Sequence, residues 1–261
     1  MLVHPIYDSA LPFYGDVARV EKDGKFGLMD PCGNVDLIWD YCERAFQSGL
    51  CIVNKDGLYG YIDEKLNIAI DLQYDEAEQF HHIINYLSPI ESSEMSELDQ
   101  YLARVKKDSK YGLINLKGDL ILPIEYEKIE KFTITKNKDI IYLIKIYGKY
   151  GFVNYKGKYI INKFFDEAKS FWKKGYAPIK IKDYWTIIDI NGDYPIKLKF
   201  QDIGDSTSNY DEYLTVKLDN KWGILDENLK LYMPQGEDNF IIHKNNKVYI
   251  KNTYVIDICE S

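Results

Sequence analysis

Short apolar runs alternate along this chain with clusters of Lys, Asp, Asn and Gly. Val17-Ala18-Arg19-Val20, Leu50-Cys51-Ile52-Val53, Leu102-Ala103-Arg104-Val105 and Tyr142-Leu143-Ile144-Lys145-Ile146 each lead into such a cluster. A second run follows at once, as in Tyr111-Gly112-Leu113-Ile114 and Tyr150-Gly151-Phe152-Val153. A third lies beyond the next polar cluster, as in Leu120-Ile121-Leu122 and Tyr159-Ile160-Ile161. β-branched and aromatic residues bounded by turn formers predict strands, and each set of three predicts an up-down meander. Residues 83–100 break the pattern. There Ser88-Pro89-Ile90-Glu91 has the order of an N-cap, a first-turn proline and an acid at N3, and Ile90, Glu94, Leu98 and Leu102 follow at helical spacing. One short inserted helix is predicted.

The meanders repeat in register. An aromatic followed by Gly recurs as Phe26-Gly27, Tyr59-Gly60, Tyr111-Gly112, Tyr150-Gly151 and Trp222-Gly223, with Trp185-Thr186 as a degenerate copy. The spacings between second residues are 33, 52, 39, 35 and 37, and the long one contains the insertion. Three positions on stands Asp30, Asp63, Asn115, Asn154, Asp189 or Asp226; six positions on stands Gly33, Gly118, Gly157 or Gly192, with Leu66 and Leu229 departing beside Asn67 and Asn228. This is an Asx turn, in which the side-chain oxygen caps backbone N–H groups and Gly or Asn supplies a positive φ. Fourteen positions on come Tyr41, Tyr74, Tyr126, Phe165 and Phe200, usually trailed by an acid such as Asp75, Glu127 or Asp166. Pro5-Ile6-Tyr7-Asp8-Ser9-Ala10 is a further copy of that block.

These columns resemble the WG (KWG) repeat family. Lys110-Tyr111-Gly112, Lys149-Tyr150-Gly151 and Lys221-Trp222-Gly223 match its name-giving triplet, and Gln73-Tyr74-Asp75-Glu76-Ala77 and Phe164-Phe165-Asp166-Glu167-Ala168 match its second block. The resemblance runs from about residue 5 to 235; Thr186 and the tail 240–258 depart from it. It implies a bacterial repeat protein and brings no catalytic residues with it.

The fold expected is therefore all-β: tandem short three-stranded antiparallel meanders in a single domain, 1–261. The parts are a half-unit at 4–16, repeats at about 17–49, 50–82, 101–139, 140–175, 176–210 and 211–239, a degenerate cap at 240–258 and the insertion at 83–100. Three strands per unit, against the four of an ordinary propeller blade, favour an open twisted solenoid over a propeller-like toroid.

Composition narrows the chemistry. The 46% hydrophobic and 28% charged residues are those of a folded globular chain. The four cysteines form no C-x-x-C pair and no metal-ligand rhythm with the four histidines, so neither a disulfide framework nor a zinc site is expected. Cys51, in an apolar run, is expected to be buried and inert, and Cys259 exposed. No apolar run is long enough to span a membrane and the start has no signal-peptide pattern, so a cytoplasmic location is expected. His81 and His82 are adjacent, face opposite sides of a strand and cannot chelate one ion together. Phosphate-binding glycine loops and the serine-hydrolase elbow are missing from the sequence. The recurring acids have a structural explanation in turn closure, and the aromatic-Gly pairs in packing. No enzyme activity, cofactor or metal is expected.

Charge breaks the repetition. Residues 101–200 carry 21 basic and 11 acidic residues, net +10, whereas the flanks carry 12 and 30, net −18. Such segregation orients an acidic partner or a second copy of the chain. A non-catalytic protein-interaction scaffold of adaptor, inhibitor, immunity or sensor type is the leading reading. Its partner surface is expected at Lys106, Lys107, Lys110, Lys128 and Lys131, with Lys173, Lys174, Lys180 and Lys182. The partner would present an acidic protein surface, with the acidic N-terminal third, including Glu91, Glu94 and Glu97, as the self-association version. A glycan-binding module using exposed tyrosines is the alternative. A nucleic-acid binder through 101–200 is disfavoured by the net charge of −8.

Overall fold

The structure, a computed structural model, describes residues 6–44, 46–83, 96, 100–130, 132–135, 139–172, 174–204, 213–234, 241–244, 247–250 and 253–256. Most of the insertion, with the helix expected there, lies outside the described residues, as do Lys131, Lys173 and Cys259. Every strand pairing is antiparallel, and the described residues contain no α-helix. The chain divides into two compact units, Met1–Ile129 and Glu130–Ser261.

In the first unit, strands Ala18–Lys22 and Lys25–Met29 form a hairpin, and Leu50–Lys55 with Leu58–Asp63 and Tyr101–Lys107 with Lys110–Ile114 form two more. The third strands Ile68–Tyr74 and Leu120–Tyr126 complete the expected meanders. Each sheet also has a two-residue strand that the sequence pattern did not reveal. Ser9–Ala10 pairs with Ala18–Lys22, Tyr41–Cys42 with Leu50–Lys55, and Glu76–Ala77 with Tyr101–Lys107. These short strands follow the aromatic-acid block of one sequence repeat and lie in the sheet of the next. The structural unit is thus offset from the sequence unit, and successive sheets share chain.

The second unit keeps the hairpins and shared short strands, but the expected third strand at Tyr159-Ile160-Ile161 does not form, and Tyr159 makes only an isolated bridge to Val153. Hairpins Ile140–Ile146/Lys149–Asn154, Tyr176–Ile181/Tyr184–Asp189 and Tyr213–Leu218/Lys221–Asp226 carry the pattern, with Glu167–Ala168 and Asp202–Ile203 as shared short strands. Leu231–Pro234 is a third strand, and the tail strand Thr253–Ile256 pairs with it. A further pairing joins Ile241–Lys244 to Lys247–Ile250.

Burial on both faces explains the continuous apolar runs. Cys51 and Val53 pack with Leu28, Trp39 and Ile62, whereas Ile52 and Tyr61 pack with Ile70, Ala103, Val105 and Ile114. Alternate residues of one strand therefore enter two different cores, one on each side of the sheet. In the second unit Phe152, Phe165, Phe171 and Ile179 center one core, and Trp185, Phe200, Val216 and Leu225 another.

The Asx turn recurs in all six copies. In the second, Asp63 Oδ1 accepts from the Lys65 and Asn67 N–H groups at 2.9 and 2.8 Å. In the fourth, Asn154 Oδ1 accepts from Lys156 and Lys158 at 3.0 and 2.9 Å. The turn glycines are left-handed, with φ of +83° at Gly118 and +87° at Gly192, and they leave room for Ile70 and Ile161 of the preceding copy to pack on them. At the two departures the asparagines do not take over this role. Leu66 and Leu229 themselves hold φ of +65° and +62°. The side-chain cap and the Asp63 and Asp226 carbonyls, which accept from the leucine N–H groups, fix the backbone whatever residue stands there. A left-handed non-glycine residue costs about 1–2 kcal/mol.

The motif glycines are packed as expected. Facing Gly60, the register shifts between Tyr59↔Tyr74 and Tyr61↔Ile70, so the third strand bulges across the glycine. The same shift recurs between Tyr111↔Tyr126 and Leu113↔Leu122. A Cβ on Gly60 would stand 2.6 Å from the Ile70 carbonyl oxygen, whereas one on Gly151 would meet side chains, first the exposed ring of Phe164 at 3.0 Å and then the Ile144 methyl at 3.4 Å. One expected column shifts. In the first copy Trp39, not Tyr41, occupies the aromatic position, exchanging backbone hydrogen bonds with Phe26 as Phe165 does with Tyr150. Its connection is two residues shorter, which misled the alignment on Tyr41.

Two pairs of substitutions test these points by chemical denaturation. Leu66 is 40% exposed and Leu229 is 2% exposed. Leu66→Gly should raise stability by about 1 kcal/mol through relief of strain, and Leu229→Gly should lower it by about 2–4 kcal/mol through lost core packing. Gly60→Ala should cost about 1–3 kcal/mol because rigid backbone blocks the methyl, while Gly151→Ala should cost less than about 1 kcal/mol because the Phe164 ring can turn away.

Candidate functional site

Polar residues after the aromatic position link one copy to the next. Asp40, directly after Trp39, accepts from the Lys25 ammonium of its own copy and, at 2.7 Å, from the Asp56 N–H in the hairpin turn of the next. Asp166 does the same with Lys149 and, at 2.6 Å, the Lys182 N–H. Asp8 caps Asp23 and Gln201 caps Asn220, each at 2.6 Å. The acid therefore joins the Lys of one aromatic-Gly triplet to the following hairpin. The lysine and the turn N–H groups hold the Asp40 and Asp166 carboxyls below the ordinary aspartate value. This is the structural role expected of the recurring acids.

A second set forms a row straight across two of the sheets. Glu76 faces Lys106, which faces Tyr111. Glu167 faces Lys180, which faces Trp185. The lysines bond their glutamates at 2.6 Å and lie 5.4 and 5.8 Å from the ring centroids. Chiefly through the glutamate bond, both ammonium groups are held above the ordinary lysine value. Lys145 lies over Tyr150 in the same way, at 5.3 Å.

Several of the lysines expected at a partner surface thus have work inside the fold. In the first unit Lys106, Lys107 and Lys110 share one hairpin; Lys106 is in the row, Lys107 donates to Gln73 at 3.1 Å, and Lys110 stands opposite Lys107. Lys128 is exposed in the short strand Lys128–Ile129. In the second unit Lys180 is in the row, Lys174 pairs with Glu227 at 3.0 Å, and Lys182 is exposed at its hairpin turn.

Other candidate chemistry is sparse among the described residues. No group of three or more His, Cys, Asp or Glu side chains there could hold a metal ion. His82 stacks on Tyr101, with ring centroids 4.4 Å apart. Cys51 is buried, its Sγ 4.0 Å from that of Cys42. The neighboring thiol and burial push the Cys51 thiol far above its ordinary value, which leaves it without nucleophilic character.

One surface escaped the sequence reading. In the second unit the segments after the Asx turns, 158–164 and 194–199, form no regular third strand and attach by single bridges such as Tyr150↔Phe165 and Trp185↔Phe200. Lys163 donates to the Gly192 carbonyl at 2.8 Å and lies 5.1 Å from the Tyr194 ring centroid. Lys199 lies 4.5 Å from that of Tyr184, and Tyr159 meets Phe164 edge to face at 5.4 Å. The available signal was Lys163, which stands where the first-unit copies have Leu72 and Ile124.

The sequence profile described as WG containing repeat matches residues 1–26, 59–82, 111–150, 150–185 and 185–222, more than half of the chain. The chain belongs to the WG-repeat family. The interval between the first two WG matches contains the copy whose Trp39 comes two residues early. No curated protein matches the sequence. Among solved structures, Hsv2 of Kluyveromyces lactis aligns at 9% identity and TM-score 0.34, covering 81% of this chain and 71% of that one. The AfRom2 CNH domain aligns at 10% identity and TM-score 0.33, covering 93% and 89%.

Lysines two residues apart in the WG frame are inequivalent. Lys180→Glu, which sets two carboxylates opposite each other, should lower the thermal midpoint measurably, whereas Lys182→Glu should lower it less, because the exposed Lys182 side chain stands outside the row and Asp166 accepts from its backbone N–H. Equal midpoints in calorimetry would show that the row does not stabilize the sheet.

Proposed function

We propose that this WG-repeat chain is a non-catalytic interaction scaffold whose partner is a protein with an acidic surface. The observation that carries this reading is the division of labor among polar side chains. The recurring Asx caps, the post-aromatic acids and the Glu–Lys–aromatic rows serve the frame, so recognition falls to outward residues that differ from copy to copy. Repeat frames suit this role because surface residues can vary while the stacking stays the same. The excess of basic residues in 101–200 favors an acidic partner.

Affinity capture of the full chain from its native host, followed by reconstitution from purified components, tests the proposal. A stoichiometric complex with one protein is expected, with an association rate that falls steeply as salt is raised toward 1 M, where the Debye length is about 3 Å. A chain that yields no reconstitutable complex, or one whose association ignores salt, would overturn it.

A further inference from the structure

We infer that the outward face built from residues 156–164 and 191–199 is the docking surface for an acidic polypeptide segment carrying interspersed apolar side chains. This inference rests on the scaffold reading and deepens it by assigning the surface.

The face is continuous within the second unit. Ile161 packs against Gly192, and Lys163 bonds the Gly192 carbonyl and lies against Tyr194. Burial, and after it the nearby Tyr184, raises the Tyr194 hydroxyl pKa, and Lys199 lies over Tyr184. Tyr159, Phe164 and Tyr194 are 37, 48 and 43% exposed. Residues 156–164 hold three lysines and no acid, and residues 191–199 hold two lysines against Asp193. The corresponding positions of the first unit expose Leu66, Ile68 and Leu120 instead, so this chemistry belongs to two particular copies and does not come with the repeat.

The arrangement selects among anions. Base stacking and sugar binding both need free aromatic faces. Here ammonium groups already cover Tyr194 and Tyr184, and Tyr159 and Phe164 meet edge to face. Carboxylates can approach those ammonium groups without displacing them. An ammonium has three donors, and the carbonyl bond of Lys163 uses one, leaving donors for a ligand while limiting the side chain's motion. The exposed edges of Phe164 and Tyr159 then take apolar side chains lying between the acids.

The test uses the full chain and a labeled twelve-residue peptide of alternating glutamate and leucine, with the lysine–leucine counterpart and a twelve-residue oligothymidine as comparisons. The acidic peptide is expected to bind and to shift amide resonances of 156–164 and 191–199, and Lys163→Glu/Lys199→Glu should weaken it at least tenfold with unchanged thermal unfolding. Lys158→Glu/Lys199→Glu, which spares the Lys163 carbonyl bond, should do the same and guards against a folding artifact. No binding of the acidic peptide, binding that survives both variants, or tighter binding of oligothymidine would overturn the assignment. Retention of the reconstituted partner at wild-type affinity by both variants would overturn this surface while leaving the scaffold reading intact. A wild-type chain without a partner would remove the scaffold reading itself.

Discussion

A sheet that is apolar on both faces cannot stand alone in water, and this constraint governs the WG repeats. Ile52 and Val53 are adjacent on one strand, yet they enter different cores. Such a sheet reaches stability only with a neighbor on each side, so its residues must specify the neighbor as well as themselves. Hydrophobic burial gives the drive but has no direction. Direction comes from the polar residues: Asp40 and Asp166 each reach from one copy to a backbone N–H of the next. The two-residue strands add backbone pairing across the same boundary.

This explains why the most regular features of the sequence are poor guides to recognition. A carboxylate that recurs from copy to copy suggests catalysis or ligand binding when seen in isolation. In place, it closes a turn. The lysine of the aromatic-Gly triplet and the one facing the aromatic ring are similarly engaged, at Lys25 and Lys149 in the first role and at Lys106 and Lys180 in the second. A net charge counted along the chain therefore overstates the charge available to a partner.

The hairpin strands, the Asx turns and the glycine packing were legible because each leaves a local signature: apolar runs, Asx-x-x-Gly spacing, an aromatic next to a glycine. The sharing of short strands was not, because Glu76-Ala77 and Glu167-Ala168 look like the end of the repeat that precedes them and only pairing shows where they go. Trp39 was missed for Tyr41 because fixed spacing cannot register a connection two residues shorter. At Leu66 the left-handed backbone is imposed by bonds to Asp63, and a leucine gives no hint of it. The basic-aromatic face was hidden because Lys163 reaches Gly192 and Tyr194 of the next copy through a contact that spacing does not show.

The shared strand also sets an order of events. In each pair of neighboring sheets within a unit, the two-residue strand precedes the hairpin it completes, so a ribosome releases the template before the piece that docks on it. Except across the 83–100 insertion, each new hairpin then closes over a short loop onto chain already in place, which keeps the entropy cost of those steps small. Assembly from the N-terminal end meets an exposed but prepared edge at each stage. Assembly from the C-terminal end would leave every hairpin waiting for a strand that lies upstream and already belongs to another fold. The architecture thus has a built-in polarity that favors growth in the direction of translation.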